Sequence, residues 1–303
     1  MTSAISICIC TYLRPKPLEH LLSALRDVRL PAVAIDVIVV DNDVEQSAHS
    51  VVERIRTSGF PLPITYAVEP VRSVAAARNR CVSTARGTVV AFVDDDEVPD
   101  SGWLFGLHET LHRHGAGAVF GPVLPRLPED APPWIVRGGF FDRPRHPTGT
   151  KVRYVEARTG NVLVRRHLLE SREGPFDPQF GQSGGEDTEL FGFLERKGAQ
   201  FIWCDEAIVY EDVSVNRCTR EWILRRSMRA GESYVRLRAK LDGPWSVPWL
   251  VLQGFAYVVV APVIAVLLLP CGLDRSMRWL RRAFTGVGRI LAVTPTRSTG
   301  ISA

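Results

Sequence analysis

The feature that most constrains how this chain folds is an apolar run that ends in four consecutive acidic residues. Residues 89–93 are rich in β-branched side chains, which predicts a strand buried on both faces. Residues 94–97 are all acidic, and Pro99 stops the strand. Because adjacent carboxylates repel one another, we expect a cation to compensate them, and such oxygen ligands suit Mg²⁺ or Mn²⁺. The alternative is a solvated acidic turn.

The N-terminal part of the chain alternates between strand and helix patterns. Strands are predicted at residues 5–10, 35–40, 64–67 and 89–93, and helices at residues 18–26, 45–57 and 74–86. Asp43 and Ser73 are suited to cap the second and third helices. This alternation predicts an α/β fold with a mostly parallel doubly wound sheet, whose ligand groups lie at the carboxyl ends of the strands. No G-x-G-x-x-G follows the first strand, which argues against a dinucleotide cofactor.

The second half of the chain continues the alternation around two unusual segments. Residues 122–150 are rich in Pro, Gly, Trp and Arg without periodicity, which predicts a functional surface or lid. Residues 181–185 form a glycine-rich loop that leads into Glu186, Asp187 and a helix. Further strands are predicted at residues 118–121, 159–164, 200–203 and 207–210, and Thr219 caps a strongly basic helix.

Composition limits the class of protein. With 46% apolar and 23% charged residues, the chain of 303 residues is ordinary for a folded protein. A formal net charge of +4 is too small to indicate nucleic acid as a partner. The six cysteines show neither zinc-ligand spacing nor a disulfide framework, and no secretory signal is recognisable at the N-terminus. We therefore expect the catalytic part to lie in a reducing compartment.

Taken in order, the motifs resemble those of the family 2 glycosyltransferases with the GT-A fold. The pattern is most similar to that of bacterial exopolysaccharide enzymes of the succinoglycan type. The resemblance covers about three quarters of the chain. The matching segments are residues 6–15, 39–42, 77–79, 92–97, 160–161, 185–187 and 222–231.

The chemistry of such an enzyme explains the acidic run. A nucleotide-sugar donor carries a diphosphate leaving group whose negative charge grows as the glycosidic bond breaks, and a divalent cation neutralises that charge. By resemblance to the family, Asp96 is a metal ligand, and Asp94 contacts the ribose or assists the metal. Asp95 is expected close to both. The implied cofactor is Mg²⁺ or Mn²⁺.

The resemblance also implies a nucleotide site at neighbouring strand ends. Thr11 and Arg14 are expected beside the nucleotide, and Arg78 near the diphosphate, where a guanidinium is suitable. For Asp41 the family implies a hydrogen bond from N3–H of uracil. The alternatives are a turn or helix-capping aspartate at position 41 and a surface arginine at position 78.

Transfer to an acceptor hydroxyl requires a base on the face of the sugar opposite the leaving group, and in-line attack then inverts the anomeric carbon. Asp187 resembles the catalytic base of the family, and Glu186 lies where it would orient the acceptor. The alternative for this acidic pair is complementation of the helix dipole. Asn161 is expected to line the donor or acceptor sugar pocket.

Arg225 and Arg226 resemble a divergent Gln-x-x-Arg-Trp element of the family. They are expected to hold the diphosphate or to meet acidic lipid, and Arg226 is assigned to the acceptor or sugar pocket. Processive members carry the fuller motif and many membrane spans, and this sequence shows neither. The sequence therefore favours the addition of a single sugar.

A membrane-associated segment is predicted near the C-terminus. Residues 249–269 carry no charge and are long enough to cross a bilayer, with basic residues on both flanks. A single span is favoured over a re-entrant segment broken by Pro262, and residues around 277–284 predict a basic amphipathic helix on anionic lipid. The predicted organisation is a catalytic domain (1–217), a basic helix and linker (218–243) and the membrane segment with its tail (244–303).

The leading hypothesis is thus an inverting, metal-dependent glycosyltransferase that uses a UDP-sugar and a lipid-linked or polysaccharide acceptor. It would work at the cytoplasmic face of the bacterial inner membrane. One rival is a sugar-nucleotide nucleotidylyltransferase, which needs a Gly-rich phosphate loop that residues 11–15 do not supply. Another is an inactive scaffold that binds nucleotide sugar, against which the presence of both Asp96 and Asp187 argues.

Overall fold

The structure is a computed structural model that describes residues 4–181 and 184–294. It divides into two compact units, each with its own core. Met1–Arg126 and Asp142–Asp212 form the first, which we call the sheet unit. Leu127–Phe141 and Val213–Ala303 form the second, which we call the helical unit. Residues 127–141 are thus separate from the sheet unit, which ends at Asp212. The predicted boundaries 1–217, 218–243 and 244–303 stay predictions.

Strands of the sheet unit form two sheets. In chain order the strands are β1 (Ile5–Thr11), β2 (Ile35–Asp41), β3 (Ile64–Val68), β4 (Val89–Val93), β5 (Glu97–Pro99), β6 (Ala118–Phe120), β7 (Val123–Arg126), β8 (Asn161–Arg165), β9 (Phe201–Trp203) and β10 (Val209–Asp212). The main sheet has seven strands in the order β3-β2-β1-β4-β8-β6-β9, and only β8 is antiparallel to its neighbours. The predicted mostly parallel α/β sheet is confirmed.

The described helices include two short ones, at residues 133–138 and 166–169, that the sequence did not predict. In chain order the helices are α1 (Pro15–Ala24), α2 (His49–Thr57), α3 (Val74–Thr84), α4 (Trp103–Arg113), α5 (Pro133–Gly138), α6 (Arg166–Leu169), α7 (Glu186–Arg196), α8 (Arg220–Asp242), α9 (Ser246–Leu267) and α10 (Leu273–Leu291). Ser73 caps α3 as predicted, since its hydroxyl accepts a hydrogen bond from Ala76 N–H. Helix α2 begins later than predicted because Asp43 instead accepts hydrogen bonds from Glu45 and Ser47 and holds a turn.

The apolar strands and helices explain where the core of the sheet unit lies. The inward residues of β1 and β2 are fully buried, and they pack with the leucines of α1 and with Trp103 of α4. Burial of this continuous apolar surface is the main contribution to the stability of the unit. It also fixes the strand ends, where the polar residues of the site begin.

The sequence predicted that the strand before the acidic run is stopped by Pro99. In the structure, β4 ends before the acidic run, at Val93. Residues 94–96 instead form a turn between β4 and β5. Strand β5 pairs antiparallel with β10 in a second sheet, whose order is β5-β10-β7. The turn is therefore held on both sides by paired strands rather than by one.

The helical unit is built from α5, α8, α9 and α10. Its core contains Ile135, Phe140, Phe141, Ile223 and Met277, among others. Part of the aperiodic segment 122–150 belongs to this core, because residues 127–141 supply aromatic side chains to it. Thr219 caps α8 as predicted, accepting a hydrogen bond from Trp222 N–H.

Among the described residues, α9 is the one helix that is long and apolar enough to cross a membrane by length and composition. The most apolar stretch of 18 residues in α9 has a mean hydropathy of 2.4, and only 22% of that stretch is buried. The predicted basic amphipathic helix is confirmed as α10, which packs along α9. Residues 295–303 of the predicted tail, and Gln182 and Ser183 of the glycine-rich loop, lie outside the described residues.

Candidate active site

The site is centred on the turn between β4 and β5. Because β1 and β4 are parallel neighbours, the residues that follow each strand meet at the same edge of the sheet. Thr11 at the end of β1 donates a hydrogen bond from Oγ1 to Asp95 Oδ2 over 2.7 Å. Arg14 Nη1 contacts Asp95 Oδ1 at 3.2 Å and Asp96 Oδ2 at 2.9 Å. The structure thus brings together four of the predicted site residues.

Asp95 is the buried member of the turn. Burial raises the pKa of its carboxyl to about 6, although the Thr11 hydroxyl and the Arg14 guanidinium favour the ionised form. The carboxyl therefore titrates close to neutral pH. Its hydrogen bonds to two side chains of the β1 loop tie that loop to the acidic turn.

Asp94 and Asp96 are the accessible carboxylates, with side chains 45% and 22% exposed. Among residues 4–181 and 184–294, no group of three or more His, Cys, Asp or Glu side chains is arranged to hold a metal ion. Mg²⁺ in enzymes is commonly held by one or two carboxylates while substrate phosphates and water complete its shell. Two accessible carboxylates in one turn fit that mode of binding.

Glu97 fixes the turn from inside the protein. It is buried, and its Oε2 accepts a hydrogen bond of 3.0 Å from Asp94 N–H. Burial, with the nearby Asp94 charge, raises the pKa of Glu97 well above its ordinary value. Gly160 makes room for this arrangement, since a Cβ there would lie 2.6 Å from Glu97 Oε1 and 3.2 Å from Asp94 Oδ2. Glu97 is one of four adjacent acidic residues, and no local pattern predicts that it is buried.

Arg78 on α3 joins the two acidic parts of the site. Its Nη2 contacts Asp94 Oδ1 at 3.3 Å, and its Nη1 pairs with Glu186 Oε1 at the start of α7. Burial opposes the positive charge, but Glu186, Asp94 and Asp187 outweigh it and raise the pKa of Arg78. The arginine is therefore a buried, permanently charged bridge, and the alternative of a surface arginine is wrong.

The acidic pair lies at the N-terminus of α7, which begins after Gly185 with a φ of 103°. Glu186 is buried, and burial raises its pKa even though Arg78 and Asp187 act on it in opposite directions. Its Oε1 pairs with Arg78, whereas Oε2 is buried without a hydrogen-bond partner among the described residues. Asp187 is only partly buried. Its Oδ1 accepts hydrogen bonds from the backbone N–H and the hydroxyl of Thr188, at 2.6 and 3.2 Å.

Asp41 has the contacts of a turn aspartate, which was the alternative to a contact with uracil. Its carboxylate is fully buried and accepts hydrogen bonds from Asp43 N–H, Ala48 N–H and Tyr66 Oη, at 3.1, 2.8 and 2.8 Å. These bonds hold the turn between β2 and α2. A contact with uracil would require one of them to open, so that assignment stays a prediction.

Asn161 uses both ends of its side-chain amide in hydrogen bonds within the sheet unit. Its Oδ1 accepts from Trp103 Nε1 at 2.8 Å, and its Nδ2 donates to the carbonyls of Pro122 and Ala207 at 3.0 and 2.7 Å. The residue borders a cavity of about 270 Å³. Both of its N–H donors are used inside the protein, and the expected role of Asn161 in lining a sugar pocket stays a prediction.

Arg225 and Arg226 belong to the helical unit. Arg225 forms an exposed i,i+4 pair with Glu221, and the Arg226 guanidinium lies 5.2 Å from the centre of the Trp222 ring. These contacts are local to the first turns of α8. The assignment of Arg226 to the acceptor pocket stays a prediction.

Sequence reasoning missed two arginines beside α7. Arg158 donates from Nη1 to Thr188 Oγ1 at 3.0 Å, next to Asp187. Arg172 pairs with the buried Glu189, with Nη1 3.0 Å from Oε1, and so anchors the first turn of the helix. Neither has a motif of its own, and the only signal in the sequence was an excess of acidic residues in that turn.

A doubly wound sheet with an accessible carboxylate pair at a strand end, facing an acidic helix start, is the architecture of GT-A glycosyltransferases. Solved structures share this fold. They include the mannosyltransferase PcManGT from Pyrobaculum calidifontis in complex with GDP-Man and Mn²⁺, with a TM-score of 0.65, 18% identity and coverage of 97% of this chain and 88% of that one. Another is S. aureus TarS in complex with UDP, with a TM-score of 0.55, 17% identity and coverage of 94% and 89%.

The chain belongs to glycosyl transferase family 2, whose sequence profile matches residues 6–169. A curated relative supports this over nearly the whole chain. It is the succinoglycan biosynthesis protein ExoM of Rhizobium meliloti, which is 35% identical over 293 residues, or 95% of this chain and 92% of that protein. The resemblance stated from the motifs is therefore confirmed.

Proposed function

We propose that the protein transfers a single sugar from a UDP-sugar to a lipid-linked or polysaccharide acceptor, with inversion at the anomeric carbon and with a divalent cation. The transfer would serve cell-surface polysaccharide synthesis at the cytoplasmic face of the bacterial inner membrane, where the C-terminal segment anchors the protein. The relative named for succinoglycan biosynthesis supports the role. The neighbours in complex with UDP and GDP-Man support a nucleotide-sugar donor.

The observation that carries the proposal is the bridge made by Arg78. One buried guanidinium contacts both Asp94 of the acidic turn and Glu186, the neighbour of Asp187. This bridge supports the proposal that the carboxylates suited to the cation lie near the carboxylate suited to base catalysis. A transferase needs this arrangement, because the leaving diphosphate and the attacking hydroxyl must lie on opposite sides of one sugar.

In this mechanism Asp187 accepts the proton of the acceptor hydroxyl as the new bond from its oxygen to the anomeric carbon forms. The bond from that carbon to the diphosphate breaks on the opposite face, which inverts the configuration. The hydrogen bonds from Thr188 orient one oxygen of Asp187. Glu186 Oε2, buried and without a partner among the described residues, is suited to accept a hydrogen bond from a sugar hydroxyl.

Asp94 and Asp96 are the residues that would hold Mg²⁺ or Mn²⁺. When bound, the cation neutralises the charge that develops on the leaving diphosphate. Arg14 contacts one of these two carboxylates, Asp96, so it is suited to contact the diphosphate when the donor binds. Thr11 keeps the loop that carries Arg14 attached to Asp95.

The test is a donor screen with protein kept in detergent. UDP-, GDP- and dTDP-sugars are offered with Mg²⁺ or Mn²⁺, and nucleotide release and the anomeric configuration of the product are measured. We expect turnover with a UDP-sugar, inversion by NMR, and loss of turnover in EDTA. Asp187→Asn should lower turnover by about 10²–10⁴-fold.

The control is Asp27→Asn, an exposed aspartate outside the site that should leave turnover unchanged. Nucleotide binding should survive Asp187→Asn, because the residue contacts the acceptor side. Full turnover in Asp187→Asn would remove the base assignment. Nucleotide binding without any turnover in the unaltered protein would favour the scaffold.

A further inference from the structure

Helix α9 exposes a continuous apolar face. Leu252, Phe255, Val259, Val263 and Val266 recur at helical spacing, and each is more than half exposed. An exposed apolar patch of this kind is uncommon on a soluble protein unless a partner covers it. Trp245 and Trp249, exposed by 89% and 63%, lie at the start of the same helix.

The opposite face of α9 is packed against α10. Gly254 and Gly286 meet there, since a Cβ on Gly254 would lie 2.9 Å from the Gly286 carbonyl oxygen. Arg289 Nη1 donates to Gln253 Oε1 at 2.8 Å, near the start of α9. Since the chain turns back at residues 269–272, α10 runs antiparallel along most of α9. The two helices form one tightly packed hairpin.

Helix α10 carries arginines along this hairpin. Arg275, Arg278 and Arg282 recur on one exposed side, and the Arg282 guanidinium lies 4.1 Å from the centre of the Trp279 ring. Packed helix axes lie about 8–10 Å apart. The backbone of α10 therefore carries these arginines close to the half of α9 that precedes the turn.

We propose that α9 lies in the plane of a single leaflet of an anionic phospholipid bilayer and does not cross it. If α9 crossed the bilayer, α10 would be carried into the hydrocarbon layer with its arginines, which is strongly unfavourable. If α9 lies flat, its apolar face enters the acyl boundary while the arginines of α10 reach the phosphate groups. The packing thus favours the in-plane arrangement over the single span expected from composition.

Charge and aromatic residues identify the occupant of the exposed face. Three exposed arginines beside an apolar surface complement anionic headgroups, and tryptophans are favoured at the interface between water and lipid. The inference shares with the proposed function only the use of a membrane. Its tests measure topology and vesicle binding rather than turnover, so the two proposals fail separately.

Cys271 gives a native probe of topology. It is exposed at the turn between α9 and α10, whereas Cys8, Cys81, Cys204 and Cys218 are buried. The full chain is produced in a bacterium, and spheroplasts and inside-out membrane vesicles are treated with a membrane-impermeant maleimide. Glu221→Cys in a Cys271→Ser background marks the side of the membrane that holds the start of α8, and Cys271→Ser alone gives the background signal.

We expect Cys271 and the thiol introduced by Glu221→Cys to react from the same side. Reaction from opposite sides would show that α9 crosses the bilayer and would overturn the proposal. Protection of Cys271 from both sides until detergent is added would place the turn inside the hydrocarbon layer and would also overturn it.

The second test measures flotation with phosphatidylcholine vesicles that contain or lack phosphatidylglycerol. Replacing Arg275, Arg278 and Arg282 by Gln should weaken binding to the anionic vesicles about 100-fold, at about fivefold per arginine. The matched control replaces the exposed Arg86, Arg113 and Lys151 by Gln and should bind normally. A dimer that stays soluble without detergent and does not float would assign the face to a second copy and overturn the proposal.

Discussion

Charged and apolar side chains are distributed in opposite ways in the two units. The sheet unit buries the charged side chains of Arg78, Glu186 and Glu97, whereas the helical unit exposes the apolar face of α9. Buried charges are unfavourable unless they are paired, and exposed apolar surface is unfavourable unless it is covered. The buried charges are the basis of the proposed reaction, and the exposed apolar face is the basis of the proposed lipid surface.

The largest effect is expected where buried charges depend on one partner. Arg78→Met leaves Glu186 and Asp94 without their shared guanidinium, and loss of one partner of a buried ion pair costs about 3–5 kcal/mol. We expect urea unfolding of the sheet unit to shift by this order and turnover to disappear. Arg80→Met, exposed on the same helix, is the control. Unchanged stability would mean that the bridge does not exist in solution.

The next effect tests the fit of the acidic turn. In Gly160→Ala the new methyl group would overlap Glu97 Oε1 and displace Asp94. A shift of about 1 Å in such a group lowers turnover by about 100-fold. Gly102→Ala, whose Cβ would have its nearest neighbour at 3.9 Å, should leave turnover unchanged. Equal turnover in both variants would contradict the close packing described for Gly160.

The pH dependence of stability tests the burial of Asp95 in the sheet unit. Since the pKa of Asp95 rises from its ordinary 3.8 to about 6 in the folded protein, the folded state binds this proton more tightly than the unfolded chain. Stability should therefore fall as the pH rises from about 4 to about 6, by up to about 3 kcal/mol. Asp95→Asn should flatten this fall in urea titrations at several pH values. The exposed Asp27→Asn should not change it.

Asn161 separates a structural role from a role in binding. Asn161→Ala removes the acceptor of Trp103 Nε1 and the side-chain donor to the Ala207 carbonyl, whereas the Pro122 carbonyl keeps the N–H of Val209. The loss should lower the free energy of unfolding by about 2 kcal/mol. The affinity for the donor, measured by calorimetry on the folded variant, should remain unchanged. Weaker donor binding at unchanged stability would instead support the assignment of Asn161 to a sugar pocket.

The smallest effect is expected on the exposed face of α9. Val263→Gln, on a side chain that is 59% exposed, should change thermal unfolding in detergent by no more than about 0.5 kcal/mol. Ala261→Gln, at a buried position of the same helix, should be strongly destabilising because it overpacks the contact face. If the two variants behaved alike, α9 would not have one packed and one open face.

The order of the strands and the family could both be predicted from the sequence. Periodicity is a local property, so the strands, the cap of α3 by Ser73 and the basic helix could be predicted from neighbouring residues. Motif order then identified the acidic turn and the Glu186–Asp187 pair. The resemblance implied that Thr11 and Arg14 lie beside the nucleotide, but it gave no contact between them and Asp95.

The contacts between polar side chains could be read only from the tertiary structure. Arg78 and Glu186 lie 108 residues apart, and Asn161 is 58 residues from Trp103. Burial of Asp41 and Glu97 likewise depends on strands that are distant in the sequence. The packing of α10 along α9 changed the interpretation of an apolar run that looked like a simple span. Solvation and pairing are set by distant neighbours, and no local pattern records them.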